Sequence, residues 1–234
     1  MQPRRAHGFT LIELLVALSV MAVLSVLSWR GIDSMMRTQE QTRQRTDALA
    51  VVQTALAQWR TDLDAQVPAA QVQPTLPGPL DWNGLALRIV RRSAAAGPAG
   101  LQVVAWSQRD VQGGRHWLRW QSPLLHTREE LQSAWQQGAL WAQNPGDAER
   151  RNEIVITPLT EWQIFYFRDA AWSHPLSSDA AAAGTVPGQD GAARPGGSVS
   201  PDGVRLVLTL PPGQALGGTL TMDWIRPTLG GGKS

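Results

Sequence analysis

Glu13 is the one formal charge between Phe9 and Trp29, a run of 21 residues that is otherwise uncharged and dominated by Leu, Val and Ala. Burying a carboxylate in hydrocarbon costs roughly 2.5 to 3.5 kcal/mol on insertion scales. An acid placed there therefore needs a cationic partner or a proton. Catalytic chemistry has little else to draw on. The chain has no cysteine, which excludes a disulfide framework, a thiolate nucleophile and a Cys-ligated zinc. His116, His126 and His174 stand apart, and no Gly-x-Ser-x-Gly, His-Glu-x-x-His, phosphate-loop or dinucleotide pattern occurs. Asp179, Asp190 and Asp202 lack the spacing of a calcium loop and read as solvated acids. The inventory points away from an enzyme, and no metal or cofactor is expected.

The element that must position Glu13 is the apolar run itself. At ~1.5 Å per residue, 21 helical residues span a hydrocarbon core of ~30 Å. Arg4, Arg5 and His7 precede it without an acid, so the short end is expected to stay cytoplasmic and the bulk to cross. A secretory signal peptide cut near Val26-Leu27-Ser28 is the bland alternative. A signal core is shorter, ~7 to 15 residues, and does not open with a carboxylate. An ordinary single-pass anchor is the other alternative, and it leaves Glu13 without a reason.

The helix need not stop at Trp29, because no proline comes before Pro68 and a lone Gly31 is tolerated. Leu49, Val52, Leu56, Trp59 and Leu63 follow at steps of three and four, which places them on one stripe. One helix is expected from about Thr10 to Gln66, its second half packed on the chain's own sheet; fewer than three clean heptads disfavour a coiled coil. Pro68 to Pro79 reads as a linker.

Strands are expected at Leu85–Val90, Leu101–Ser107 and His116–Gln121, an antiparallel meander with Gly113-Gly114 at its second turn. Thr127-Arg-Glu-Glu130 has capping-box spacing and opens a helix closed by Asn144-Pro145-Gly146, expected to cover a sheet edge or bridge two strands. Further strands are expected at Glu153–Thr157, at Glu161–Arg168 with burial on both faces, at Val204–Leu210 with Val204, Leu206, Leu208 and Leu210 inward, and at Leu220–Ile225 paired with it. Ser177 to Gly203 is too poor in large apolar residues to order itself and reads as a mobile loop. The fold class is α+β, one long N-terminal helix with an antiparallel β-sheet region.

The chain has 234 residues, 43% of them hydrophobic, enough beyond the apolar run for one core. Its eleven Trp should be core or interface anchors, each with one N–H to satisfy. Arg88, Arg91 and Arg92 form a local basic cluster, but nucleic acid is not expected as a partner.

Arg5-Ala-His-Gly8 followed by Phe-Thr-Leu-Ile-Glu13-Leu-Leu-Val-Ala resembles the processing motif of type IV prepilins and type II secretion pseudopilins. The resemblance implies a leader ending at Gly8, cut by a prepilin peptidase, N-methylation of Phe9, and Glu13 as the fifth-position acid that pairs with a neighbouring subunit's N-terminal amine. Without the leader's Arg4 and Arg5, 19 basic residues face 19 acidic ones. Trp29-Arg-Gly-Ile-Asp33-Ser34, Leu56 to Leu63, Glu161 to Asp169 with Trp172, and Val204 to Leu210 are similar to the J class of minor pseudopilins. That likeness implies a pilin-like fold and a place at the tip of a periplasmic pseudopilus with I- and K-type minor pseudopilins and the major pseudopilin. The K class lacks the fifth-position acid, so Glu13 argues against it. A minor pilin of a type IV pilus is the alternative. The implied organisation is leader 1–8, transmembrane assembly helix 9–29 in the bacterial inner membrane, amphipathic continuation 30–66, periplasmic β-rich domain 67–226 with its loop at 177–203, and tail 227–234.

Overall fold

The computed structural model describes residues 10–93, 100–177, 185–187, 193–195, 200–213 and 216–227. Gly8, Phe9, Asp179 and Asp190 lie outside the described residues, as do most of 177–203 and of 227–234. The backbone divides into two units, Met1–Asp47 and Ala48–Ser234. In the first, the described chain is helix throughout from Leu11, the start of α1 (Leu11–Asp64), and all of it is exposed. The Ser19 and Ser25 hydroxyls donate to the carbonyls of Leu15 and Met21, both at 2.8 Å. Such bonds pair a hydroxyl that would otherwise face an apolar medium unsatisfied.

The second unit holds the last part of α1 and two antiparallel sheets. The first sheet runs β1 (Leu80–Trp82), β2 (Ala86–Arg92), β3 (Leu101–Val111), β4 (Gly114–Gln121) and β5 (Glu153–Pro158) in that order. The second runs β11 (Gly218–Ile225), β10 (Gly203–Leu210), β6 (Glu161–Arg168) and β7 (Ala171–Ser173). The meander is therefore present and larger than its sequence signal, with β1 added ahead of it. β3 turns into β4 through Gln112 and Gly113, at φ 52° and 81°. Both are left-handed, the geometry whose twist suits a two-residue hairpin and which glycine adopts without strain.

One apolar cluster lies between α1 and the two sheets, with Trp59 and Leu63 meeting Leu87, Trp106 and Trp117 of the first sheet and Ile164, Leu206 and Leu208 of the second. The other lies on the opposite face of the first sheet, under α3 (Arg128–Gln143). Burial on both faces thus belongs to β2, β3 and β4; in β3, Val104 and Trp106 turn toward α1 and Val103 and Ala105 toward α3. The expectation of double burial for β6 fails. Trp162, Ile164 and Tyr166 are buried there while Glu161 and Gln163 are exposed and Phe165 and Phe167 only partly buried. The outer face carries side-chain contacts, Phe165 with His174 and Phe167 with Trp172, rather than a covering element among the described residues. The alternation Val204, Leu206, Leu208, Leu210 is inward in β10, which pairs with β11 as well as β6.

α3 starts where its capping box places it. Thr127 Oγ1 accepts from the Glu130 N–H at 3.1 Å, and Glu130 Oε2 accepts from the N–H groups of His126 (2.7 Å) and Thr127 (3.2 Å). The helix lies on the face of the first sheet, not on an edge. Gly138 faces the sheet at this contact, where a Cβ would meet Ala105 Cβ and the Trp120 ring at an ordinary van der Waals distance of 3.5 Å. At the far end Glu153 of β5 accepts from Trp141 Nε1 and Arg109 Nη2, each at 2.7 Å.

Two linking segments also differ from the reading. Pro68–Pro79 includes α2 (Ala69–Val72), and Val72 and Leu76 are buried in the second cluster, so the stretch is packed and not a free tether. Within 177–203 two short strands, β8 (Thr185–Pro187) and β9 (Ala193–Pro195), pair antiparallel.

Trp59→Ala should destabilise the second unit by about 3 to 5 kcal/mol, the range for removing a buried aromatic. Leu56→Ala should cost less, because Leu56 is only partly buried. Denaturant unfolding followed by tryptophan fluorescence compares them; equal losses would contradict the packing described. The Glu130 carboxyl is held below its usual 4.5 by the backbone N–H groups of His126 and Thr127. That contribution is present above pH 4.5 and is lost as the pH falls through the lower folded value. The stability gap between the wild-type chain and Glu130→Gln should therefore close on acidification in the same assay.

Candidate assembly helix and its anchorage

α1 carries acids in two opposite situations. Glu13 sits in its first turn among Leu11, Ile12, Leu14 and Leu15, which are between 58% and 83% exposed. Among the described residues nothing pairs with its carboxylate; its backbone N–H donates to Thr10 O at 3.1 Å. From Leu11 to Met36 the helix presents apolar side chains on every side, and it is long and apolar enough to cross a membrane.

At the other end Asp62 is fully buried. Its Oδ1 accepts from Gln58 Nε2 at 2.8 Å, from Arg119 Nη2 at 2.9 Å and from Arg91 Nη1; its Oδ2 accepts from Arg119 Nε at 2.8 Å and Trp106 Nε1 at 2.9 Å. Gln58 is one turn back on the same helix, whereas Arg91, Trp106 and Arg119 belong to β2, β3 and β4. One carboxylate thus joins α1 to three adjacent strands. Arg119 grips it through two N–H groups at once, the fork geometry that makes guanidinium the strong partner of a carboxylate.

The neighbouring residues continue the attachment. The Asp64 carboxylate accepts from Trp224 Nε1 of β11 at 2.7 Å, which reaches the second sheet. Just past the helix, Arg92 N–H donates to Ala65 O at 3.0 Å and Val67 N–H to Val90 O at 3.1 Å, so the chain leaving α1 is stitched along β2. Above the polar cluster, Trp59 lies 5.3 Å from Trp106 and 6.4 Å from Trp162, both edge to face, and 6.1 Å from Trp117. Such arrangements set positive ring edges against negative faces. The indoles of Trp106, Trp141 and Trp224 find carboxylates, but Trp59, Trp82, Trp117 and Trp120 have buried N–H groups with no acceptor among the described residues, against the expectation of one partner each.

Of the stripe read from the sequence, Val52, Trp59 and Leu63 are buried, whereas Leu49 and Leu56 are partly exposed at its flank. Ala55 and Asp62 are buried with it. Local pattern does not mark Asp62, because an acid near a helix end reads as solvated. The signal lay in its spacing, three residues past Trp59 and seven past Ala55, on the apolar face. The basic cluster Arg88, Arg91, Arg92 is no surface patch. Arg88 pairs with Asp81 and stacks 4.4 Å over Trp135, Arg91 is buried on Asp62, and only Arg92 is exposed. His116, His126 and His174 lie on β4, before α3 and after β7, and among the described residues no three metal-ligating side chains converge.

The model of the prokaryotic N-terminal methylation motif matches residues 3–29, which include Gly8, Phe9 and Glu13. Type II secretion system protein J of Klebsiella pneumoniae is 34% identical over 65 residues, 28% of this chain and 33% of that protein. The chain thus spans about a third of the length of that relative. A chain in the crystal structure of the GspK-GspI-GspJ complex from the enterotoxigenic Escherichia coli type 2 secretion system is 16% identical, with 76% of this chain and 97% of that one covered and a TM-score of 0.42.

Asp62→Ala should destabilise the second unit by about 3 to 5 kcal/mol, because it leaves two buried guanidinium groups without their acid. Asp64→Ala removes one indole hydrogen bond at an exposed residue and should cost about 1 kcal/mol. Chemical unfolding of the two variants distinguishes them; similar costs would mean that Asp62 does not bear the attachment.

Proposed function

We propose that this chain, which carries a prepilin-type N-terminal methylation motif and shares sequence with type II secretion protein J, is a minor pseudopilin of a type II secretion system. It is a structural subunit of the pseudopilus tip complex, which initiates assembly and supports export of folded proteins across the outer membrane, and it performs no chemistry of its own. The observation that carries the reading is the exposed apolar helix bearing a single acid, Glu13, five residues after Gly8 and continuous with a helix built into a folded domain. The likeness to protein J favours secretion over a type IV pilus.

In this reading prepilin peptidase cuts between Gly8 and Phe9, and the new amine of Phe9 is methylated. The helix to Trp29 holds the subunit in the inner membrane with its start in the cytoplasm, as Arg4 and Arg5 favour, and the domain in the periplasm. Glu13 receives the amine of a neighbouring subunit, I- and K-type minor pseudopilins and the major pseudopilin being the neighbours. In a low-dielectric medium that pairing is stronger than on a wet surface, although desolvation offsets much of the gain.

Two measurements test this. Mass spectrometry of the membrane-bound protein should find methylated Phe9 at its start; an intact leader, or a start near Trp29, would sink the processing step. Glu13→Leu should leave leader removal and the domain's melting temperature unchanged while reducing co-purification with other minor pseudopilins and secretion. Undiminished partner recovery would show that the acid is dispensable.

A further inference from the structure

Among the described edges of the two larger sheets, three are short or mainly polar. β1 and β7 have three residues each, and β11 exposes Thr219, Thr221 and Asp223, the last paired with Arg205, with Ile225 exposed only at its end. β5 is different. It is hydrogen-bonded on one side only, to β4, over Glu153-Ile-Val-Ile-Thr-Pro158, and Ile154 and Val155 are 58% and 42% exposed. A bulge at Ile156 and Pro158 at the end of the strand blunt its second half, which leaves 153–155 as the regular stretch whose outward N–H and C=O groups can template another strand.

Beside this edge runs a groove of about 500 Å³, lined on the helix side by Val51 and Thr54, on the strand side by Ile154 and Val155, and at its back by Trp106 and Arg119. Its walls are largely apolar, but its back is charged. Arg91 and Arg119 together face the single carboxylate of Asp62, leaving that buried cluster with one positive charge in excess. The nearby acids are occupied elsewhere: Glu153 accepts from Arg109 and Trp141, and Asp64 from Trp224. A carboxylate brought into the groove would offset that charge where solvent screens it poorly.

We infer that the groove takes an extended apolar segment of a second, different subunit, carrying one carboxylate and added as a strand to the free edge of β5. Backbone pairing supplies the attachment, apolar side chains fill the groove against Val51 and Thr54, and the acid faces Arg119. The inference rests on the reading of the chain as a filament subunit, which supplies such neighbours.

The test places photoreactive benzoylphenylalanine in the full-length membrane-bound chain at Val155, and separately at Leu140, which is 60% exposed on α3. Position 155 should cross-link to another subunit with a prepilin-type leader, the linked peptide mapping to an apolar stretch containing Asp or Glu that is a strand in that subunit. Position 140 should not. Ile154→Glu, which sets an acid on the edge to repel the incoming one, should lower the 155 cross-link about tenfold with an unchanged melting temperature. Linkage to a helix, to a second copy of this chain, or to a protein without such a leader would overturn the inference, as would silence at 155 in protein whose leader is removed. An uncut leader would instead overturn the filament reading, while a 155 cross-link to such a strand would leave this site standing.

Discussion

The domain depends on a carboxylate placed where no water reaches it. Asp62 is fully buried, and by itself that would be one of the costliest substitutions a helix near its end could carry. Five hydrogen bonds from four side chains make it tolerable, and they come from Gln58 on the same helix and from three consecutive strands. Such a cluster contributes modest net stability, because desolvation consumes much of the attraction. What it supplies is position. A purely apolar stripe of Ala55, Trp59 and Leu63 could slide or rotate on a sheet at modest cost, whereas a helix whose acid must meet two guanidinium groups and an indole has one register.

The aromatic layer works with that polar lock. Trp59 stands among Trp106, Trp117 and Trp162, so indoles from both sheets close around one residue of α1. Trp106 belongs to both systems, its ring to the apolar cluster and its N–H to Asp62. The first sheet can hold these bulky groups on one face because its other face is also sealed, by α3. This explains why β2, β3 and β4 are buried on both faces while β6 and β10 of the second sheet, with no described element over their outer face, alternate.

Much of this was legible in the chain itself. The absence of proline before Pro68 and the three-four spacing of apolar residues mark a helix that the structure runs from Leu11 to Asp64. The capping box at Thr127 marks the start of α3, and the alternation after Val204 marks the inward face of β10. What could not be read was partnership. Trp162-Gln-Ile-Phe-Tyr-Phe167 looks doubly buried because Phe165 and Phe167 are large and apolar, yet whether a layer covers them is decided by elements distant in sequence. Arg88 and Arg91 look like surface charge for the same reason, their acids being seven and 29 residues away. Local pattern specifies an element and its faces; it does not specify which face meets which neighbour.

Two of the acids of α1 make the same point about function. Asp62 and Glu13 are both carboxylates on one helix, and each is set among apolar residues. For Asp62 the chain supplies the counter-charges itself, so its requirement is met by folding. For Glu13 the described residues supply none, and the surrounding side chains offer only hydrocarbon. A group whose burial is costly and whose partner is not among the described residues is, in the function proposed above, completed by the amine of a neighbouring subunit. On that proposal the requirement that folding meets at one end of the helix is met by assembly at the other.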